Sequence, residues 1–329
     1  MNSVQGSCHG SPLQTSSVAP LVTVIICVYN AGEYFRPSLG SVLGQTHSNL
    51  DILVVDDGST DGCIESASDL LSDSRVRLFR QVNATKPVAL NRALEESHGE
   101  FYAIHDADDI SHPARIEKQL AVLLENPNLA AVYCGNELII GRRVVAPVFA
   151  AKSEEECREA IESFRMPAHD PTGMYRMALV GNMRYGASLQ GAEGLDYILR
   201  VGERYPMIVI GECLYQYRIV NTSVTRGDPI RRLQAVEEAL MLARTRRGFS
   251  DAIVTSKKPG WRSKNAFKDN YVAVHFIESV RCLRRSNLRL AALKVGLACA
   301  RLQPFDLDYY RALFYAIAPS SLVSVLRRR

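Results

Sequence analysis

The chain has 329 residues, 47% of them hydrophobic and 22% charged, which is enough for one large folded domain or two smaller ones. Its formal net charge of +4 comes from 39 Lys and Arg against 35 Asp and Glu, a balance too mild and too scattered to call for a nucleic acid partner. The eight cysteines, at 8, 27, 63, 134, 157, 213, 282 and 299, form no CxxC pair and sit mostly in apolar runs, so they read as small core residues in a reducing compartment and not as a structural zinc site.

Residues 1–20 are Ser-rich with almost no large apolar side chains, so little offsets the entropy of ordering them and a disordered leader is expected. From residue 21, "LVTVIICV" predicts a strand, Phe35, Leu39, Val42 and Leu43 fall at helical spacing, and "LDILVV" predicts a second strand running into "DDGSTDG". This is a β-α-β unit with a parallel sheet. A short strand "VRLF" at 76–79 follows, then a helix carrying Leu90 and Leu94 and closed by Gly99, then a strand at 101–105. Pro113 is expected to open a helix whose Ile116, Leu120, Leu123 and Leu124 form one apolar face, ending at Asn126-Pro127 before the strand "AAVY".

Beyond 136 the rhythm changes to short strands, "ELII", "VVAPVF", "MIVI" and "CLYQY", with a helix near 193–203. From 229 the chain reads as mostly helical. The segment "VRCLRRSNLRLAALKVGLACARL" sets Leu and Ala against Arg and Lys, and the end "YYRALFYAIAPSSLVSVLRRR" is similar in character. These stretches predict either peripheral contact with an anionic membrane surface or helices packed on the rest of the fold. No apolar run reaches the length of a membrane span and the N-terminus lacks a basic-then-apolar signal, so the expected location is the cytoplasm, in contact at most with the inner face of the membrane.

In a parallel α/β sheet, ligands bind outside the carboxyl ends of the strands. Three loops lie there: "YNAGE" at 29–33, "DDGSTDG" at 56–62 and "DADD" at 106–109. Asp106, Asp108 and Asp109 would raise one another's pKa if nothing cationic sat among them, and a hard divalent metal with oxygen ligands is the natural counter-charge. The first loop has no GxGxxG, so the dinucleotide fingerprint is absent, and so is a P-loop. Asp57 could accept from a base N–H with Tyr29 stacked on the ring, and Lys86 could meet phosphate or base oxygens. The same residues have plainer readings: Asp56 to Asp61 as a turn and helix cap, Tyr29 as a core-edge aromatic, Lys86 as a solvated surface charge.

The run "VTVIICVYNAGEYFRPSLGSVLGQTHSNLDILVVDDGSTDG", followed by "LNRALEESHGEFYAIHDADD" and "HPARIEKQL", resembles the nucleotide-binding half of the family 2 glycosyltransferases, and "DPTGMYRMALV…GAEGLDYILRVGERYPMIVIGECLYQYRIVNTSVTR" resembles that family's acceptor half. The resemblance, which extends to about 226, implies a GT-A fold with a Rossmann-like, mostly parallel nucleotide-sugar-binding sheet over 21–135 and a mixed acceptor half over 136–228, and the helical C-terminal region read above completes the chain over 229–329. It implies inverting transfer of a sugar from a nucleoside diphosphate sugar, UDP-linked by expectation, to a saccharide or lipid-linked acceptor in polysaccharide or glycolipid assembly, with Mn²⁺ or Mg²⁺.

Carried over, the donor contacts are Cys27, Tyr29, Asn30, Glu33, Asp57, Lys86 and Asp106, with Cys27 standing where a small polar residue is frequent. Asp106 and Asp108 match the DXD pair, and Asp109 extends the cluster either as a third metal ligand or as a cap for the helix at Pro113. Where family members often carry Glu-Asp at the start of the acceptor-side helix, this chain has Glu193-Gly194. The expected base is therefore Glu193, with Asp196 as second choice despite its alternative role as an i, i+4 partner of Arg200, and His169 and Asp170 next in line. Loss of the Asp also admits a nucleotide-sugar-binding protein without transferase activity.

Overall fold

The computed structural model describes residues 19–140, 143–145, 151–218, 229–249, 289–302 and 307–319, with Ile277, Val280 and Arg284. The expected leader lies outside these residues apart from Ala19 and Pro20, as do Cys8, Cys282 and the last ten residues of the Arg-rich terminus.

Four strands form the first half of the sheet, β1 (Val22–Val28), β2 (Leu50–Asp56), β3 (Val76–Arg80) and β4 (Phe101–Asp106), parallel and in the order β3-β2-β1-β4. The Val/Ile-rich β1 and β2 are buried on both faces, because helices cover each side. On one side α1 (Phe35–Leu43) and α4 (Arg115–Glu125) bring Phe35, Leu39, Ile116 and Leu120 onto Val24, Ile26 and Ile52. On the other, α3 (Lys86–Glu95) brings Ala89, Leu90 and Leu94 onto Ile25, Leu53 and Ile104. Gly99, expected to close α3, lies beyond its end and donates its N–H to Thr23 Oγ1 at 2.9 Å, an approach that leaves no room for a Cβ beside the Thr23 backbone.

The sheet continues through strands of mixed direction. Strand β8 (Gly173–Arg176) lies antiparallel between β4 and β6 (Ala131–Ile140), β9 (Met207–Arg218) runs parallel to β6, and the two-residue β5 (Ile110–Ser111) closes the far edge antiparallel to β9. Strand β7 (Arg143–Val145), the described part of the expected "VVAPVF" strand, pairs with β6. Two expectations are corrected. "AAVY" and "ELII" form one strand, as do "MIVI" and "CLYQY". The exposed Gly211-Glu212 that reads as a break is carried instead by bulged pairing around Gly135. The helix expected to open at Pro113 begins at Arg115, with Pro113 and Ala114 in the preceding turn.

Outside the sheet lie α2 (Ser68–Leu71), α5 (Glu154–Glu162) with a Ser153/Glu156 capping box, α6 (Met177–Val180), and α7 (Glu193–Gly202), which packs its Ile198 and Leu199 on the α3 side of the sheet. Then come α8 (Pro229–Arg246), α9 (Arg289–Leu302) and α10 (Leu307–Ile317). Helices α9 and α10 cross closely at Gly296, where a Cβ would sit 2.8 Å from Leu313 Cα. Among the described residues no helix is long and apolar enough to cross a membrane.

One side chain ties the two halves of the sheet together. Arg115 is fully buried and donates through Nε to Gln119 Oε1, through Nη1 to Ser111 Oγ, and through Nη2 to the carbonyls of Ile104 on β4, Pro171, and Gly173 on β8, at 2.7–3.3 Å. Gln119, one turn on, donates to the carbonyls of Val132 and Thr172. Replacing Arg115 by Met strips donors from several buried acceptors, each costing about 1–3 kcal/mol. Arg115→Met is expected to lose about 3–5 kcal/mol in a urea titration, and an unchanged midpoint would show that the carbonyls find other donors.

Candidate active site

Strand register brings the three expected loops to one level. Val28 pairs with Asp56 and Cys27 with Asp106, so the chain leaves β1, β2 and β4 side by side. The first two loops are knitted together by polar contacts: Asn30 Oδ1 accepts from the Thr60 N–H (2.8 Å), the Asn30 N–H donates to Ser59 Oγ (3.1 Å), and the Gly32 N–H donates to Asp61 Oδ2 (2.7 Å). Asn30 (φ 50°) and Gly32 (φ 57°) take the left-handed turn this requires, which Gly and Asn adopt most readily. Tyr29 is half exposed and Glu33 exposed at the rim. The turn-and-cap reading of the second loop holds for Asp56, which accepts from the Ser59 N–H, and for Asp61, which accepts from that of Cys63.

Asp57 is buried and accepts from Gln81 Nε2 (2.7 Å), from the Ala84 N–H (2.9 Å) and, on its other oxygen, from the Thr85 N–H (3.0 Å). It therefore draws in the segment that leads to α3 and delivers Lys86, the first residue of that helix, into the crevice. Lys86 Nζ lies 2.5 Å from Asp106 Oδ1. Burial works against its charge, but Asp106, Glu193 and Asp170 outweigh it and hold the ammonium firmly protonated. Burial likewise opposes the Asp106 carboxylate, and Lys86 more than compensates. Cys27 lies between these charges. Burial pushes its thiol up, so the residue is a neutral wall of the site.

Of the three expected metal ligands, the structure brings two to the crevice. Asp109 is fully buried, its Oδ1 accepting from the Arg218 N–H (2.7 Å) on β9 and its Oδ2 without a partner, and burial with Asp106 and Asp108 nearby raises its pKa strongly. Its place is beneath the loop, anchoring β9. Asp108 is half-buried and its carboxylate accepts no hydrogen bond from another described residue, while burial and then Asp106 push its pKa up to about 6. Among the described residues no cluster of three or more His, Cys, Asp or Glu forms a metal cage. Two hard carboxylates at a strand end are an incomplete set that suits Mn²⁺ or Mg²⁺ only when phosphate oxygens supply the rest.

His105, just before this loop, is buried between Ser38 Oγ (2.9 Å) and Ser111 Oγ (3.1 Å), and burial with Arg115 nearby lowers its pKa to about 3, so it is a neutral strut. The sequence offered no sign of this beyond a polar residue at the end of an apolar run.

The carboxylates at the start of α7 and in the 170–172 turn fall into three environments. Asp196 is buried, with Oδ2 on Arg200 Nε (2.8 Å) and Oδ1 on Arg246 Nη1 (3.1 Å), so both oxygens are taken by guanidinium groups. Glu193 turns its Oε2 back to the Gly191 N–H (2.5 Å) at the start of α7. Asp170 is buried with Oδ1 accepting from Tyr175 OH (2.9 Å), and burial chiefly, helped by Glu193 and Asp106, pushes its pKa up to about 7. His169 sits edge-on to Tyr217, its pKa lowered to about 4 by burial, with Nε2 unpartnered.

The mostly parallel sheet thus ends in a crevice that holds an acidic loop, the half-buried Lys86 and the exposed Tyr29. Residues 23–147 match the family model described as Glycosyl transferase family 2. A glycosyltransferase of Haemophilus influenzae is 37% identical over 123 residues, covering 37% of this chain and 38% of that protein, and YibD of Escherichia coli is 40% identical over 106 residues, covering 32% and 31%. The alignments thus span well under half the length of these curated relatives. Among solved structures, S. aureus TarS 1-349 in complex with UDP-GlcNAc superposes with a TM-score of 0.59 at 18% identity, covering 89% of this chain and 90% of that one. A mannosyltransferase from Pyrobaculum calidifontis in complex with GDP-Man and Mn²⁺ gives 0.54 at 19%, covering 95% and 89%. The family match is thus confined to residues 23–147, well under half of the chain, and the fold is GT-A.

The double arginine clamp changes what Asp196 is worth. As an exposed i, i+4 partner of Arg200 alone it would contribute roughly 0.3–0.5 kcal/mol. Buried and shared with Arg246 of α8, it is expected to cost about 1.5–3 kcal/mol as Asp196→Asn in a denaturant titration, hydrogen bonds to charged groups being of that size. A loss under about 0.5 kcal/mol would show that the clamp is not closed in solution.

Proposed function

We propose that the protein transfers a hexose from a nucleoside diphosphate sugar, UDP-linked by preference, to a saccharide or lipid-linked hydroxyl with inversion at the anomeric carbon. The observation that carries this is the juxtaposition of Asp106 and Asp108 with Lys86 and Asp57 at one level of the sheet, a set of hard oxygens and a fixed cation suited to a diphosphate on a nucleoside. Tyr29 and Asn30 would border the base, Asp57 would keep one acceptor site for its N–H beside the three it already spends on the 81–85 segment, and Glu33 and Cys27 would line the rim and floor. Asp108, with Asp106, would hold Mn²⁺ or Mg²⁺, which when bound neutralises charge on the departing diphosphate. Lys86, already protonated, would share Asp106 with the incoming phosphate.

The reading is tested by thermal shift. UDP or GDP is expected to raise the melting temperature only with Mn²⁺ or Mg²⁺ present, and at 100 times Kd by the equivalent of about 2.7 kcal/mol. Asp108→Asn should lose the metal dependence. Equal stabilisation by NAD, or full metal-dependent stabilisation of the variant, would remove the assignment.

The expected membrane contact is supported by one face of α10, where Leu307, Tyr310, Phe314 and Ile317 are exposed, and by exposed Leu290 and Leu297 on α9. Salt-sensitive flotation with anionic vesicles is the expected outcome. Absence of binding at low salt would leave these helices as packing elements alone.

A further inference from the structure

We propose that Asp170 is the general base that takes the proton of the acceptor hydroxyl, its carboxyl standing in the space that Gly194 leaves open. This rests on the glycosyl-transfer reading above. A Cβ built on Gly194 would lie 2.7 Å from Asp170 Cβ, 3.0 Å from Cγ and 2.9 Å from Oδ2. The two residues are therefore alternatives in one volume: with Asp170 in place no side chain fits at 194, and the missing carboxylate at the head of α7 is supplied from the neighbouring segment. Gly194 has ordinary helical geometry, so close approach, and not backbone freedom, is what makes glycine necessary there.

The Asp170 carboxyl is held as a base must be. Oδ1 accepts from Tyr175 OH, which in turn accepts from Tyr133 OH at 3.0 Å, a buried line of donors that fixes the plane of the carboxyl. Its backbone is fixed from behind by Arg115, which donates to Pro171 O at 2.7 Å. Oδ2 accepts no hydrogen bond from a described residue and faces Gly194. Lys86, Glu193 and Asp106 act on it electrostatically and Tyr175 through a hydrogen bond, so it lies within electrostatic reach of the Lys86–Asp106 pair.

Of the alternatives, Asp196 has both oxygens on arginines, and Glu193 turns one oxygen back to the Gly191 N–H, whereas Asp170 is the carboxyl that fills the space at Gly194. A pKa near neutrality, the consequence of that burial, also suits a group that must take up a proton and release it again. In the step itself the acceptor O–H proton passes to Asp170 Oδ2 and the acceptor oxygen bonds to the anomeric carbon. The bond from that carbon to the diphosphate oxygen breaks, with its electron pair leaving on the nucleoside diphosphate.

The test is release of nucleoside diphosphate from a panel of UDP- and GDP-hexoses with saccharide acceptors, run beside the thermal shift with UDP or GDP and Mn²⁺. Asp170→Asn is expected to lower turnover by about 10²- to 10⁴-fold while the nucleotide shift stays as in the wild type. Asp170→Gly should be equally impaired. Moving the carboxylate, as Asp170→Gly with Gly194→Asp in one chain, should recover at least about tenfold of that loss, which a merely structural Asp170 would not allow. Asp170→Asn within about threefold of wild type, or a double variant no more active than Asp170→Gly, overturns the assignment. A wild type that binds UDP or GDP yet turns over no donor removes the transfer reading itself, and the role of Asp170 with it.

Discussion

The geometry of this protein depends on a buried guanidinium with no carboxylate among its hydrogen-bond partners. Arg115 spends Nη2 on carbonyls from β4, from the Pro171 turn and from β8, its other donors on Gln119 and Ser111, and stacks over the ring of Tyr215 at 4.8 Å. Burying a charge without a counter-ion costs several kcal/mol, and three inward-facing carbonyl dipoles and an aromatic face offset it. A lysine would not substitute, because one ammonium cannot serve the carbonyls at Nη2 together with Gln119 at Nε and Ser111 at Nη1. Ile104 stands two residues before Asp106, and Pro171 directly follows Asp170. One side chain thus fixes the distance between the acidic loop and the acceptor-side carboxyl.

Around that clamp, the carboxylates of the crevice divide by environment. Asp109 and Asp196 are consumed by the fold, binding respectively the end of β9 and two arginines, while Asp57 spends three of its acceptor sites on the 81–85 segment. Asp106 is balanced by Lys86. Asp108 and Asp170 keep carboxyl capacity for something outside the chain, and burial raises the pKa of both. Identical side chains do different work because low-dielectric surroundings make each depend on the donors that happen to reach it.

The first half of the sheet was legible because its information is local. Continuous apolar strands, helical spacing in Phe35, Leu39 and Val42, and turn residues at 56–62 are short-range signals, and parallel topology then puts the loops at one end of the sheet. Legibility faded where pairing is long-range. The two residues of β5 carry no period to detect, and β9 was divided because Gly211-Glu212 resembles a turn when its partner β6 is unknown. Asp196 was read as a helix-surface pair because Arg246, fifty residues later, gives no sign in the sequence that α8 will lie beside α7.

Sequence alone was enough to determine the family likeness of residues 23–147, the α/β order of the first four strands and the acidic loop that ends β4, since composition and spacing along adjacent residues specify local backbone. Which carboxylate does what was decided only by the tertiary structure. Gly194 read as a loss when seen along the chain, but the fold brings Asp170, twenty-four residues earlier, to within 2.7 Å of where its Cβ would be. Whether a carboxyl is clamped, capped or left able to take a proton depends on groups brought to it from distant segments, and those distances exist only once the sheet has closed around Arg115.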